Sequence, residues 1–289
     1  MKKSLLLGLS VLFLGGLSLT SCNTPSESAS ETNGKLIVGL ECAYAPFNWT
    51  ENKATETNHP ISGTKSYAEG YDVQIAKIIA EELNMELVIK KLDWDALIPS
   101  VQNETIDLII AGMSPTESRK LDIDFTNPYY TSEHVLLVES SSPYANITEV
   151  SQLEGARIAG QIGTLYDDIA HAIPGVVSTG DKPTVPEIIT ELTTGLIDGT
   201  VVEYPVALGL TNEYSSLKMI QFEPGKGFTQ LVDEDTNEIR NIVDTDKDVS
   251  IGLAKGRDEL KESINDILAS LSSETRNQMM LQAVENQAK

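Results

Sequence analysis

Residues 109–130 read IIAGMSPTESRKLDIDFTNPYY, and the reading of this stretch decides the fold. Leu108, Ile109 and Ile110 form an apolar run of the kind that makes a buried strand. It ends at Ala111–Gly112, small residues that let another molecule approach the backbone closely. Ser114-Pro115-Thr116-Glu117 follows, with a glutamate three residues after the first hydroxyl. That spacing predicts a capping box, with Ser114 as the cap and Pro115 at the first helical position. A helix N-terminus presents unbonded N–H groups and partial positive charge, which suits an anion. Arg119 lies just inside the expected helix, where its planar fork could take a carboxylate in two parallel hydrogen bonds. Spacing alone reads Arg119 as a surface arginine beside a capped helix; the whole string carries more.

The string resembles the signature of the extracellular solute-binding proteins that serve polar amino-acid ABC importers. That signature is an AG-x-[ST]-x-T-x-x-R-K run followed by D-F-[ST]-x-P-Y-Y. The matching residues are Ala111, Gly112, Ser114, Thr116, Arg119, Lys120, Asp124, Phe125, Thr126, Pro128, Tyr129 and Tyr130. The resemblance implies that Arg119 clamps the α-carboxylate of a free amino acid, with Ala111, Gly112 and Ser114 beside it. It also implies an α/β, two-lobed, periplasmic-binding-protein-like fold of type II, with two hinge crossovers and the ligand in the inter-lobe cleft. A monomer that hands its ligand to an ABC permease, with no cofactor and no metal, is the expectation.

Upstream, Leu36–Leu40 reads as the first strand, and Glu41-Cys42-Ala43-Tyr44-Ala45-Pro46-Phe47 follows it. This resembles the family's acid-x-x-aromatic-x-P-F, in which the acid and the aromatic line the side-chain pocket. The resemblance thus assigns Glu41 and Tyr44 to the site and leaves Phe47 to the core. Thr50–Ala68 is polar and turn-rich and reads as an insertion at a lobe edge; His59 stands there without ligand-forming neighbours. Gly70-Tyr71-Asp72 opens a helix whose apolar face is Ile75, Ala76, Ile79, Ala80 and Leu83, stopped by Asn84. The family's G-[FY]-D at this point implies that Tyr71 stacks on the ligand's side chain. Leu87–Lys90 reads as a strand, and Trp94 in the following W-[DE]-x-L-[IV]-P match reads as core.

Downstream, a second series of strands and helices starts at Val135–Val138. Arg157–Gly160 is an expected strand, and Gln161-Ile162-Gly163-Thr164 leads into a helix through Ala172, with amides at the turn suited to a carboxylate. Val185–Thr194 reads as a helix, Thr200–Val202 as a buried strand, and Glu203-Tyr204-Pro205 as the start of another helix. The resemblance makes Glu203 the partner of the ligand's α-ammonium; by position alone it could equally support the helix dipole. Asp233, Asp235 and Asn237 have calcium-loop spacing, but Glu238 stands where glycine is needed, so residues 224–248 read as a solvated acidic hairpin. Ser250–Ala254 is expected to re-enter the first lobe and Glu259–Leu271 to form a helix; the tail from Ser272 departs from the family's ending. The expected organisation is residues 35–131 with 249–289 in lobe one, 132–225 in lobe two, and 226–248 as an acidic insertion at the hinge. Strand ends carrying Glu41, Ala111–Ser114, Gln161–Thr164 and Glu203 would then meet where ligands of α/β sheets bind.

The chain is long enough, at 289 residues, to bury one large core or two modest ones. Its 43 acidic against 21 basic residues repel nucleic acid and anionic lipid headgroups. Lys2 and Lys3, the apolar Leu5–Leu14 and the closing Leu19-Thr20-Ser21-Cys22 form a processing signal. The ending resembles a bacterial lipobox, which implies a lipid anchor on Cys22 at the outer face of the cell membrane; an ordinary signal peptide is the alternative. Asn23–Gly34 reads as a tether. Only Cys42 then remains, so no intrachain disulfide is expected in the mature protein. With Arg119 and Glu203 on the amino-acid backbone, Glu41, Tyr44, Tyr71 and Gln161 would read the side chain. Two aromatics and a carboxylate favour a cation, hence lysine, arginine or ornithine, with glutamine as the alternative. The same fold hosts cyclohexadienyl or arogenate dehydratases. However, His59, His134 and His171 are scattered in the sequence and no nucleophile–base pair is legible, so a binding protein is expected and not an enzyme.

Overall fold

The computed structural model describes residues 34–180, 182–233 and 236–287. The processing signal, lipobox and nearly all of the tether lie outside these residues, as does Asp235. Two five-stranded sheets organise the chain. In lobe one the order is Glu86–Lys91, Lys35–Leu40, Leu108–Ile109, Asp248–Leu253, Asp124–Thr131. The first three strands are parallel, and Asp248–Leu253 runs antiparallel to both of its neighbours. In lobe two the order is Val177–Ser178, Arg157–Ala159, Gly199–Glu203, His134–Glu139, Leu217–Ile220. There too three parallel strands are followed by antiparallel ones. Gly199–Glu203 is buried at every position, as a central strand must be, and its sequence accordingly lacks polar alternation.

Chain crossings join the lobes. After Thr131 the chain enters lobe two at His134, and Asp248–Leu253 brings it back to pair with Asp124–Thr131. The two crossings run side by side, the Ser132 amide donating to the Lys247 carbonyl at 2.9 Å. Helix Tyr71–Glu82 buries Ile75, Ala76, Ile79 and Ala80 as its spacing predicts, and the chain leaves it through Asn84 in left-handed conformation, φ 52°.

Two local expectations, the helix cap and the solvated hairpin, need correction, and two other segments gain definition. The helix after the signature strand is Glu117–Asp122 and its cap is Thr116, not Ser114: Thr116 is extended, and its hydroxyl accepts from the Arg119 amide at 3.3 Å. Pro115 therefore precedes the cap, where it keeps Ser114 out of the helical region. Thr50–Ala68 is not only an edge insertion. Asn48–Glu51, His59–Pro60 and Tyr67–Glu69 join Ala43–Tyr44 in a four-stranded antiparallel sheet. The acidic return segment does contain a hairpin, Gln230–Val232 with Ile239–Asn241. It is anchored rather than solvated throughout: Leu231 is buried, its strand lies against helix Leu165–Ala172, and Arg240 grips Asp246 with two bonds of 2.7 and 2.9 Å. Finally, the tail forms helix Ser273–Gln287, which lies against both Tyr71–Glu82 of lobe one and Tyr204–Glu213 of lobe two. Among the described residues no helix is long and apolar enough to cross a membrane.

Candidate functional site

The carboxyl ends of the parallel strands from both lobes meet, and three side chains cross the seam. Gln161 of lobe two donates its Nε2 to both carboxylate oxygens of Glu41, at 3.0 and 3.1 Å, and to the Pro183 carbonyl at 2.9 Å. Arg119 donates one terminal nitrogen to the Ser114 carbonyl at 2.9 Å and the other across the seam to the Gly163 carbonyl at 3.1 Å. Trp94 donates its indole N–H to the same Gly163 carbonyl at 2.8 Å. Together with Tyr44, Ser114, Thr164, Leu165 and Tyr166 these residues line a tight inner cavity with about 10 Å³ of room for the centre of a water-sized sphere. Outside it a cleft of about 960 Å³ opens between the lobes, with Asp93, Asp95 and Asp122 on one side and Ile162, Pro183 and Thr184 on the other.

Arg119 is 5 % exposed although its helix has only six residues. Its guanidinium lies over the Trp94 ring, 5.4 Å from the centroid, a contact that orients the planar fork and partly desolvates it. Glu41 is equally enclosed. Burial pushes its carboxyl up to about 7, only partly offset by the Gln161 hydrogen bond and by Lys91. The neighbouring Cys42 thiol is pushed up to about 12 by the same burial, so it is a packed, unreactive group. Glu203 ends strand Gly199–Glu203, beside the strand that continues into Gly160–Thr164. Both of its carboxylate oxygens are buried without a hydrogen-bond partner among the described residues, and burial raises its carboxyl well above the usual range. It makes no side-chain cap bond to the helix that it precedes, which removes the main structural use for it. The Tyr44 hydroxyl on the cavity wall is likewise buried and unbonded.

The sequence-derived residues therefore divide. Glu41, Tyr44, Ser114, Arg119, Gln161 and Thr164 share the inner cavity, whereas Glu203 lines neither it nor the outer cleft. Tyr71 does not: it is fully enclosed in lobe one, donates its hydroxyl to the Tyr129 carbonyl at 2.9 Å and stacks on the Tyr129 ring. The aromatic that lines the cavity beside Arg119 is instead Trp94, a residue its sequence pattern assigns to the core. The signal that could have found it is the position of Trp94 directly after a strand's carboxyl end, Glu86–Lys91. Ala111 is buried, and the Gly112 amide is bonded inward to the Tyr129 hydroxyl, so these two shape the wall rather than offer donors. Gly112 has φ 62°, and a Cβ on it would stand 3.2 Å from the Tyr44 ring. The Thr164 amide also points inward, to the Gln161 carbonyl at 3.2 Å. Tyr166, unforeseen, is a buried phenol near Arg119 and against His134, whose imidazole burial pushes down to about 4. Among the described residues no cluster of His, Cys, Asp and Glu could hold a metal ion.

Two α/β lobes joined by paired crossings, with charged side chains buried where they meet, give the architecture of a two-lobed binding protein. Residues 36–283 match the bacterial extracellular solute-binding proteins, family 3, and the chain belongs to that family. It is 26 % identical over 211 residues to an arginine-binding extracellular protein of Bacillus subtilis, covering 72 % of this chain and 76 % of that one. Over 253 residues it is 29 % identical to a protein of Campylobacter jejuni named as a probable histidine-binding protein, covering 85 % and 89 %. An amino-acid ABC transporter substrate-binding protein of Streptococcus pneumoniae, solved with L-arginine bound, superposes with a TM-score of 0.71 at 25 % identity, covering 89 % and 97 %. These relatives are binding proteins whose named ligands differ.

Proposed function

We propose that this protein captures a single basic L-amino acid, lysine, arginine or ornithine, between its lobes and delivers it to an ABC permease while anchored through Cys22. One observation carries the reading: lobe one buries an arginine on the cavity wall, and lobe two buries at the end of a central strand a carboxylate, Glu203, with no partner among the described residues. A zwitterionic amino acid supplies the missing counter-charges. Its carboxylate would replace the Gly163 carbonyl on Arg119, and its ammonium would pair with Glu203. Without such partners each ion loses several kcal/mol on burial, so ligand and closed cleft stabilise each other. The side chain would then extend between Tyr44 and Trp94 toward Glu41, where the Asp93 and Asp95 carboxylates add to a field that favours a cation.

A specific contact supports glutamine as a second reading. The Gln161 carboxamide already donates to both Glu41 oxygens, so an amide fits the position that a ligand's end group would take. A thermal-shift screen of the purified protein against the twenty amino acids and ornithine, followed by calorimetry on the hits, tests both readings. Stabilisation by arginine, lysine or ornithine is expected; a response confined to glutamine would move the assignment to the second reading. No response to any amino acid would end both.

A further inference from the structure

The two lobe-one segments that carry the site, Glu41–Tyr44 and Ala111–Ser114, are tied to one carboxylate that lies outside the cavity. Asp72 is fully enclosed. It accepts from the Tyr129 hydroxyl at 2.7 Å on one oxygen and from the Asn48 side-chain amide at 2.8 Å on the other. Each donor is itself a relay. The Tyr129 hydroxyl accepts from the Gly112 amide at 2.9 Å, and the Asn48 side-chain carbonyl accepts from the Cys42 amide at 2.7 Å. Cys42 directly follows Glu41 and Gly112 comes two residues before Ser114; both hold left-handed backbone, with φ 55° and 62°.

The donor and acceptor inventory of this chain allows a single arrangement. A backbone N–H can only donate, so the outer atoms of Asn48 and Tyr129 must accept, and their inner atoms must donate. Two donors then converge, one on each oxygen, and an ionised carboxylate, which only accepts, satisfies both without adding a donor of its own. We propose that Asp72 is a positioning residue for ligand capture, setting the backbone at Cys42 and Gly112, and through it Glu41 and Ser114, by way of Asn48 and Tyr129. The inference deepens the proposed function and rests on it. It also accounts for a fully enclosed acid: burial pushes Asp72 up to about 7, and hydrogen bonds from Tyr129 and Asn48 hold it against that cost.

The same inventory supplies the test. Asp72→Asn keeps the shape but sets its N–H against either the Asn48 N–H or the Tyr129 O–H, so one donor loses its acceptor; flipping Asn48 only moves the conflict to Cys42. Adding Asn48→Asp shifts the acceptor-only group one step along the chain, and every donor again has an acceptor. Amide hydrogen exchange at Cys42 and Gly112 and calorimetric titration with L-arginine are measured on wild type, Asp72→Asn, the reciprocal double variant and Tyr129→Phe. Asp72→Asn is expected to speed exchange at one of the two amides and to weaken arginine binding, each at least tenfold; the double variant restores both to within threefold. Tyr129→Phe cuts only the Gly112 arm, so it exposes Gly112 and not Cys42, and it carries the test should Asp72→Asn fail to fold. A double variant no better than Asp72→Asn, or unchanged exchange in both single variants, overturns the proposal. A wild type that ignores arginine overturns the ligand reading instead, and the exchange data still decide the positioning.

Discussion

Glu41→Gln is the perturbation that separates a charge-reading pocket from an amide-reading one. The Glu41 carboxyl titrates at about 7 in the free protein because it is buried, and a ligand cation would require it ionised. At pH 6 such a group is roughly one-tenth ionised, and each further unit downward costs about 1.4 kcal/mol of binding. The sign is therefore fixed: arginine affinity climbs as pH rises toward 7, levels off above it, and binding below 7 releases a proton. At pH 8 the substitution replaces a charge-assisted bond and costs about 1.5–3 kcal/mol, on the order of 10- to 150-fold in affinity. By pH 5 wild type and variant converge. Calorimetry with L-arginine at pH 5 and pH 8, in buffers of different ionisation enthalpy, reads both the affinity and the proton. Burial raises the Asp72 and Glu203 carboxyls as well, so pH dependence left in the variant belongs to those two residues. Wild-type affinity that stays flat across this range, or a variant within threefold of wild type at pH 8, refutes the charge argument.

Arg119→Ala should remove measurable binding at a cost of roughly 3–5 kcal/mol, and Arg119→Lys should also bind poorly because a point charge cannot make the bidentate fork; near-native calorimetry on the lysine variant would sink the assignment. Glu203→Gln should raise the melting temperature of the ligand-free protein, since it removes a buried carboxylate whose oxygens have no partner among the described residues, while weakening amino-acid binding at least tenfold. A variant that is neither more stable nor weaker in binding contradicts the ammonium role. Gly112→Ala should cost about 1 kcal/mol or more, because the residue sits at φ 62° with the Tyr44 ring 3.2 Å from the added carbon. Chemical denaturation measures it, and an unchanged midpoint would show that the Tyr44 ring yields freely.

Much of the architecture was legible in local pattern. The apolar runs at Leu36–Leu40 and Leu108–Ile110, and the helical spacing of Ile75, Ala76, Ile79 and Ala80, place elements that the structure retains, because each depends on its own residues and burial of one face. The signature string likewise marked Arg119 and its neighbours as one functional stretch. Choices between similar residues close together were not legible there. Ser114 and Thr116 are both hydroxyl caps by type, and the tertiary structure selects Thr116. Arg119 must turn back to the Ser114 carbonyl and across to Gly163, which leaves Ser114 outside the helix. Tyr71 and Trp94 are both aromatics at the start of a helix, and no period in the sequence says which faces a cleft and which a core. Trp94 meets the cleft only because its indole finds the Gly163 carbonyl 69 residues on, and Glu41 is held by Gln161 across 120 residues. Contacts at that separation exist only after two sheets have formed and come together, so sequence spacing determines the elements, and the meeting of the lobes determines which side chains become the site.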